Sequence, residues 1–315
     1  MRRRISLLLM LLLPLPAAAA EVIRAGRWEF HNSFWMGLHQ TLMHDASARK
    51  PRDLSTLTPA QLATWNAAVA TYKANAGQGS ITFAEPMMAV QNALTQAADD
   101  AVSVPVAGAL GDALRQAAPA YRAHWWPADH AANRFFIGYT SAMVRDAGEE
   151  LAAAHEAVYG ERLPKTIRVD ITPFAIPFGA YTHTLADGGL TVTISSREQG
   201  NHGLTGLETV LHESSHGLVG PRWGSLGTAI QKISKARGIA PPRDLWHAIL
   251  FATTSELTRR ALAARGASGY IPMSEDLLTR AWPQYRKAIE THWYPYLTGR
   301  GTLEAAVESV IAATQ

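Results

Sequence analysis

The sequence predicts an α+β chain that is predominantly helical, with a small mixed sheet placed between a helical N-terminal part and a second run of helices. Helix-period apolar stripes occupy most of residues 21–160. Short β-branched segments follow between 166 and 195, and helical patterns resume near Thr205 and continue to the C-terminus. Of the 315 residues, 47% are hydrophobic and 17% charged, which is ample for a packed core and unlike a disordered chain.

The elements follow in order. Met1 and Arg2–Arg4 are charged, Ile5–Leu15 are almost entirely apolar, and Ala17–Ala20 are small. This reads as a secretory signal peptide cut after Ala20. The apolar stretch is shorter than the ~20 residues a spanning helix needs, and Pro14 and Pro16 interrupt it. The expected parts are therefore residues 1–20 as signal, 21–160 as the helical N-terminal part and 161–315 as the part that holds the short strands and the later helices. The mature protein is expected in a bacterial periplasm or the medium, with no stable membrane insertion. The formal charge of +3 has the same origin. Arg2–Arg4 lie in a segment without acids, so the remainder balances 26 basic against 26 acidic residues. Nothing in that balance points to nucleic acid.

Trp28–Ala46 carries an apolar stripe through Phe30, Phe34, Trp35, Leu38 and Leu42 and is expected as the first helix. Thr58 caps and Pro59 opens the second. Further helices are expected at Glu85–Ala98, near 107–118, and from Asp129 to Tyr159, where Gly160 ends the run. Arg122–Pro127 is a joint, and its Trp125–Trp126 pair reads as packing. Thr166–Thr172, Ala180–Thr184 and Leu190–Ser195 are strands, with a turn at Asp187–Gly189. A helix is expected over 205–219, then others near 224–237, 242–265, 274–290 and 302–313.

The chemistry-bearing motif lies in the 205–219 helix, as His212-Glu213-Ser214-Ser215-His216. Histidines at i and i+4 share a helix face one turn apart, a spacing that lets both imidazoles reach one tetrahedral ion. Glu213 falls beside that ion without having to bind it and is placed to accept a proton from water there. The chain has no cysteine, so a metal must be held by His, Asp or Glu.

On this H-E-x-x-H stretch the chain resembles the zincin metallopeptidases. The resemblance covers about 190–220. It implies zinc as the cofactor, His212 and His216 as ligands, Glu213 as general base, and a peptide or protein substrate. It also implies a small twisted sheet before the helix, whose edge strand lies antiparallel to the bound peptide. Leu190–Ser195 is the expected edge strand from its order along the chain.

A third ligand is required, with one position open for water. No histidine lies in Leu218–Leu226, which disfavours the compact metzincin pattern and directs attention to the gluzincin arrangement, with a glutamate on a later helix. Glu256 is the expected ligand because it sits in the apolar stretch Leu245–Leu262, where an unpaired carboxylate is costly. Its other reading is an i, i+4 ion pair with Arg260. His247 on the same helix is the alternative ligand. The two are nine residues apart, half a turn out of phase, so both are not expected on one ion. Arg260 stands where the family often has a second acid. His247 and Tyr270 are also candidate oxyanion or substrate contacts, with Tyr181 and His183 near the strands. Glu208, four residues before His212, is either an exposed carboxylate or a partner of a ligand histidine. The expectation is an exported zinc-dependent hydrolase, a metallopeptidase; the alternative is an exported zinc-binding or interaction protein without turnover.

Overall fold

A computed structural model describes residues 22–48, 52–185 and 188–315. The signal segment at 1–20 lies outside the described residues, as does Asp187 of the expected turn. Among the described residues no helix is long and apolar enough to cross a membrane.

The chain is α+β and mostly helical around one five-stranded mixed sheet. Two strands come first, β1 (Ile23–Ala25) and β2 (Trp28–His31). They form an antiparallel hairpin that pairs Ala25 with Trp28. Gly26 turns it at φ 59°, where a Cβ would meet the Glu149 carboxylate at 2.5 Å. The expected helix from Trp28 therefore starts later. Trp28 and Phe30 are fully buried with Glu29 between them, which is a strand alternation. Ser33 caps the real helix, α1 (Phe34–Ser47), by accepting from the Met36 N–H.

Helices α2 (Pro59–Ala74), α3 (Glu85–Thr95) and α4 (Gly108–His124) follow. Thr58 and Gln61 form a reciprocal capping box at the start of α2. Phe34, Leu38, Trp65, Tyr72, Leu114 and Tyr121 fill a core between these helices and α1. Trp125 breaks the chain direction before α5 (Trp126–Tyr159), which ends at Gly160 in the left-handed region. Trp125 packs on Trp65 and Trp126 on Phe34, so the tryptophan pair is packing.

Strands β3 (Ile167–Thr172), β4 (Ala180–Thr184) and β5 (Leu190–Ser195) complete the sheet in the order β1-β2-β3-β5-β4. β2, β3 and β5 run parallel, and β4 is antiparallel to β5. This corrects the expected edge. β5 lies between β3 and β4 and is buried along its whole length, so the sheet's edges are β1 and β4, and the one beside α6 is β4.

The remaining helices are α6 (Thr205–Ser215), α7 (Gly224–Ala236), α8 (Leu245–Ala264), α9 (Ser274–Arg280), α10 (Pro283–Ala288), α11 (Tyr294–Leu297) and α12 (Leu303–Ala313). A second core gathers Trp28, Phe136, Val169, Val192, Leu211 and Ile249. It draws on residues from both sides of position 160. The hairpin and α5 thus belong to the same packed layer as the motif helix.

Candidate metal centre

α6 is buried from Gly206 to Ser215, wedged against the sheet, α5 and α8. Its small residues permit this. Trp28 Nε1 donates to Ser214 Oγ at 2.9 Å, while the Ser214 and Ser215 hydroxyls donate back to the Val210 and Leu211 carbonyls. Asn201 ties the preceding loop to the sheet by donating to the Gly179 and Ser195 carbonyls, and it accepts from Thr209 on α6. The helix ends at His216, its C-terminal cap, so this imidazole stands at the mouth of the buried segment with its side chain 19% exposed.

α8 brings the third group. Asp244 takes a left-handed conformation at φ 58°, and its carbonyl accepts from the N–H groups of His247 and Ala248. His247 thereby sits in the first turn of α8, facing α6. Among the described residues, His212, His216 and His247 converge, with one ring nitrogen of each within 4.8 Å of the others. His212 Nε2 and His247 Nε2 are 3.4 Å apart. Two nitrogens bound tetrahedrally at zinc distances lie about 3.3 Å apart, so this edge already has the required length.

The surroundings hold the three imidazoles neutral, the form in which they ligate. Burial drives the His212 pKa well below its ordinary value, with His216 and His247 adding to the effect. Burial lowers His216 to about 3, and His247 to about 4 against a small opposing pull from Asp244. Phe251, one turn along α8, stacks under His212 with ring centroids 3.6 Å apart. Trp246 meets His216 edge-on, and Trp282 meets His247. Behind them His155 is fully buried; its Nδ1–H donates to the Leu151 carbonyl and its Nε2 accepts from Thr254. His212 Nδ1 is buried and has no partner.

Glu213 lies on the adjacent side of α6, with Oε2 4.0 Å from His216 Nε2. Burial raises its pKa to about 7, against the pull of Thr182. Thr182 Oγ1 sits 2.7 Å from Glu213 Oε2 and 2.6 Å from the Glu213 carbonyl. The edge strand β4 therefore runs directly beside the carboxylate of the motif.

Glu256, the ligand expected from sequence, is engaged elsewhere. Its carboxylate accepts from Arg259 at 2.7 and 2.8 Å and from Arg260 at 2.7 Å. Burial opposes its ionisation, but the two guanidiniums outweigh this and lower the pKa. The half-turn phase difference explains the exchange. His247 faces α6, while Glu256 points away, toward a strand of contacts in which Arg260 donates to the Leu297 carbonyl. The third converging group is therefore His247 in place of Glu256.

The other expected contacts are also occupied. Tyr270 donates to Glu208. Tyr181 and His183 alternate with Thr182 and so face the opposite side of β4, where they bond Gln91 and Asn92. His31, His39 and His44 of the N-terminal part bond Asp99, Tyr72 and Asp45 separately and do not converge. Sequence reasoning missed Thr182 and Phe251. Phe251 had a signal, being four residues after His247; Thr182 had none, because its role depends on sheet register. No family model, curated protein or solved structure matches the chain.

Proposed function

We propose that this protein is an exported zinc-dependent hydrolase of the zincin type, a metallopeptidase in which His212, His216 and His247 hold the ion and Glu213 is the general base. The observation that carries the reading is the meeting of three imidazoles and a carboxylate where α6 faces α8. Three neutral imidazole nitrogens converge within 4.8 Å, and a carboxylate whose pKa burial raises to about 7 lies 4.0 Å from one of them, His216 Nε2. Imidazole donors without thiolate suit zinc among the available divalent ions. The charged opening and apolar stretch of residues 1–20 support export.

When bound, zinc supplies Lewis-acid polarisation of a carbonyl and acidifies water. Glu213 accepts the proton of the attacking water and returns it to the leaving amine. Thr182 holds Oε2 in place and keeps the carboxylate form accessible. The antiparallel edge strand β4 offers backbone groups to an extended peptide laid alongside it, which supports a peptide substrate.

The alternative is an exported zinc-binding protein on the same centre without turnover, and one observation bears on metal holding in both readings. A metal-ligating histidine ordinarily donates its second ring N–H to an acceptor, and His212 Nδ1 has none. Zinc content and cleavage of a mixed peptide library, compared for wild type and Glu213→Gln, separate the two. The hydrolase reading expects one zinc per chain in both proteins, with cleavage by the wild type and a loss of about a hundredfold or more in Glu213→Gln. Full zinc with no cleavage by the wild type supports the non-catalytic reading, and absence of zinc overturns both.

A further inference from the structure

The ligands of the proposed centre come from two helices, so some contact must fix how α8 sits along α6. The two helices run antiparallel, and three layers of contact follow their seam. His212 faces His247 in the first layer. Phe251 stacks on His212 in the second. In the third, Glu208 meets Ser255, one turn from His212 on α6 and about two turns from His247 on α8.

That third layer is wholly buried and fully bonded. Glu208 has no exposed surface. Its Oε1 accepts from Ser255 Oγ at 2.5 Å and from the Met273 N–H at 3.1 Å, and its Oε2 accepts from the Tyr270 hydroxyl. Ser255 Oγ in turn accepts from the Ser274 N–H at 3.1 Å. One carboxylate thus joins α6, α8 and the segment 270–274 that leads into α9. Its hydrogen bonds go to Ser255, Tyr270 and Met273 and to no ligand histidine. A carboxylate in this position is costly unless every lone pair is used, so the geometry of the layer is strongly specified.

We infer that Glu208 is the positioning residue of the centre: through Ser255 it sets the register of α8 on α6 and with it the His212–His247 separation. The inference rests on the metal-centre reading above. It makes Tyr270, expected from sequence as a substrate contact, a member of the same brace.

Cobalt(II) tests it, because cobalt reports ligand geometry in its visible spectrum whereas zinc does not. Cobalt affinity and spectrum are measured for full-length wild type, Glu208→Ala, Glu208→Gln and Ser255→Ala, with circular dichroism to verify folding. Ser255→Ala removes the α8 end of the link and is a mild change, so it stays informative where Glu208→Ala fails to fold. The expected result is about tenfold weaker cobalt binding and an altered visible band in Ser255→Ala and Glu208→Ala, with recovery toward wild type in Glu208→Gln, whose amide keeps the shape. Folded Ser255→Ala with wild-type affinity and spectrum overturns the inference while leaving the metal centre standing. A wild type that takes up no cobalt or zinc overturns the metal-centre reading and this inference with it.

Discussion

His212 and His247 face each other through Nε2 atoms 3.4 Å apart, although they lie 35 residues apart in the chain with helix α7 between them. Neither imidazole is placed by a loop. His212 is set by a helix buried on all sides, and His247 by the first turn of another, started at Asp244. Such a pair is rigid before any ion arrives, which keeps the cost of ordering ligands low.

Glu256→Ala follows from the ion pairs on the far side of α8. The change removes one acceptor shared by two guanidiniums that are more than a third exposed. The expected loss is at most about 1 kcal/mol of stability, by denaturant titration, with metal content unchanged. A larger loss together with loss of metal would return Glu256 to the centre.

Thr182→Val removes the hydroxyl beside Glu213 Oε2. Thr182 lowers the Glu213 pKa, so its removal lets burial raise that pKa further. In the proposed hydrolase Glu213 works deprotonated, so the acidic limb of its pH–rate profile is expected to move to higher pH. An unmoved limb would mean that Thr182 contributes only packing.

His39 reports acid stability away from the centre. It is fully buried, with Nδ1 on the Tyr72 hydroxyl and Nε2 unpartnered, and burial lowers its pKa to about 3. Unfolded, it titrates near 6.5, so between these values the unfolded chain binds the extra proton. Its stabilisation is complete above pH 6.5 and falls on acidification at about 1.4 kcal/mol per pH unit until the folded pKa is reached. His39→Leu is expected to flatten the stability–pH slope of the metal-free protein by one proton between pH 6 and 4. An unchanged slope would show that His39 is protonated in the native state.

Gly148→Ala on α5 tests the seating of the hairpin beneath α6. A Cβ there would lie 2.8 Å from the Trp28 ring and 2.9 Å from Val144. Trp28 is the residue that donates to Ser214. The clash outweighs the gain in helix propensity, and a net loss of about 1–2 kcal/mol is expected as a lower thermal midpoint. A stabilised variant would show that Trp28 shifts freely.

Much of this was legible in the residues themselves. β3, β4 and β5 were marked by β-branched runs, and the cap Thr58 with Pro59 and the terminator Gly160 by local chemistry. The hairpin was lost because Trp28 and Phe30 fit a strand alternation and also prolong the helical stripe that starts at Phe34. In the site, His212, Glu213 and His216 are local in sequence and readable from spacing. His247 was readable only as the alternative to Glu256, and Thr182 and Ser255 not at all, because which side of α8 meets α6, and which strand forms the sheet edge, are tertiary facts. Glu256 was favoured for a sound reason, the cost of a carboxylate in an apolar stretch. Arg259 and Arg260 meet that cost without a metal.

The most direct measurement is the metal content of stripped and zinc-reloaded protein, by elemental mass spectrometry, for wild type, His247→Ala and Glu256→Ala. One zinc per chain is expected in wild type and Glu256→Ala, and little or none in His247→Ala. Full loading of His247→Ala, or loss of zinc from Glu256→Ala, would contradict a centre built from His212, His216 and His247.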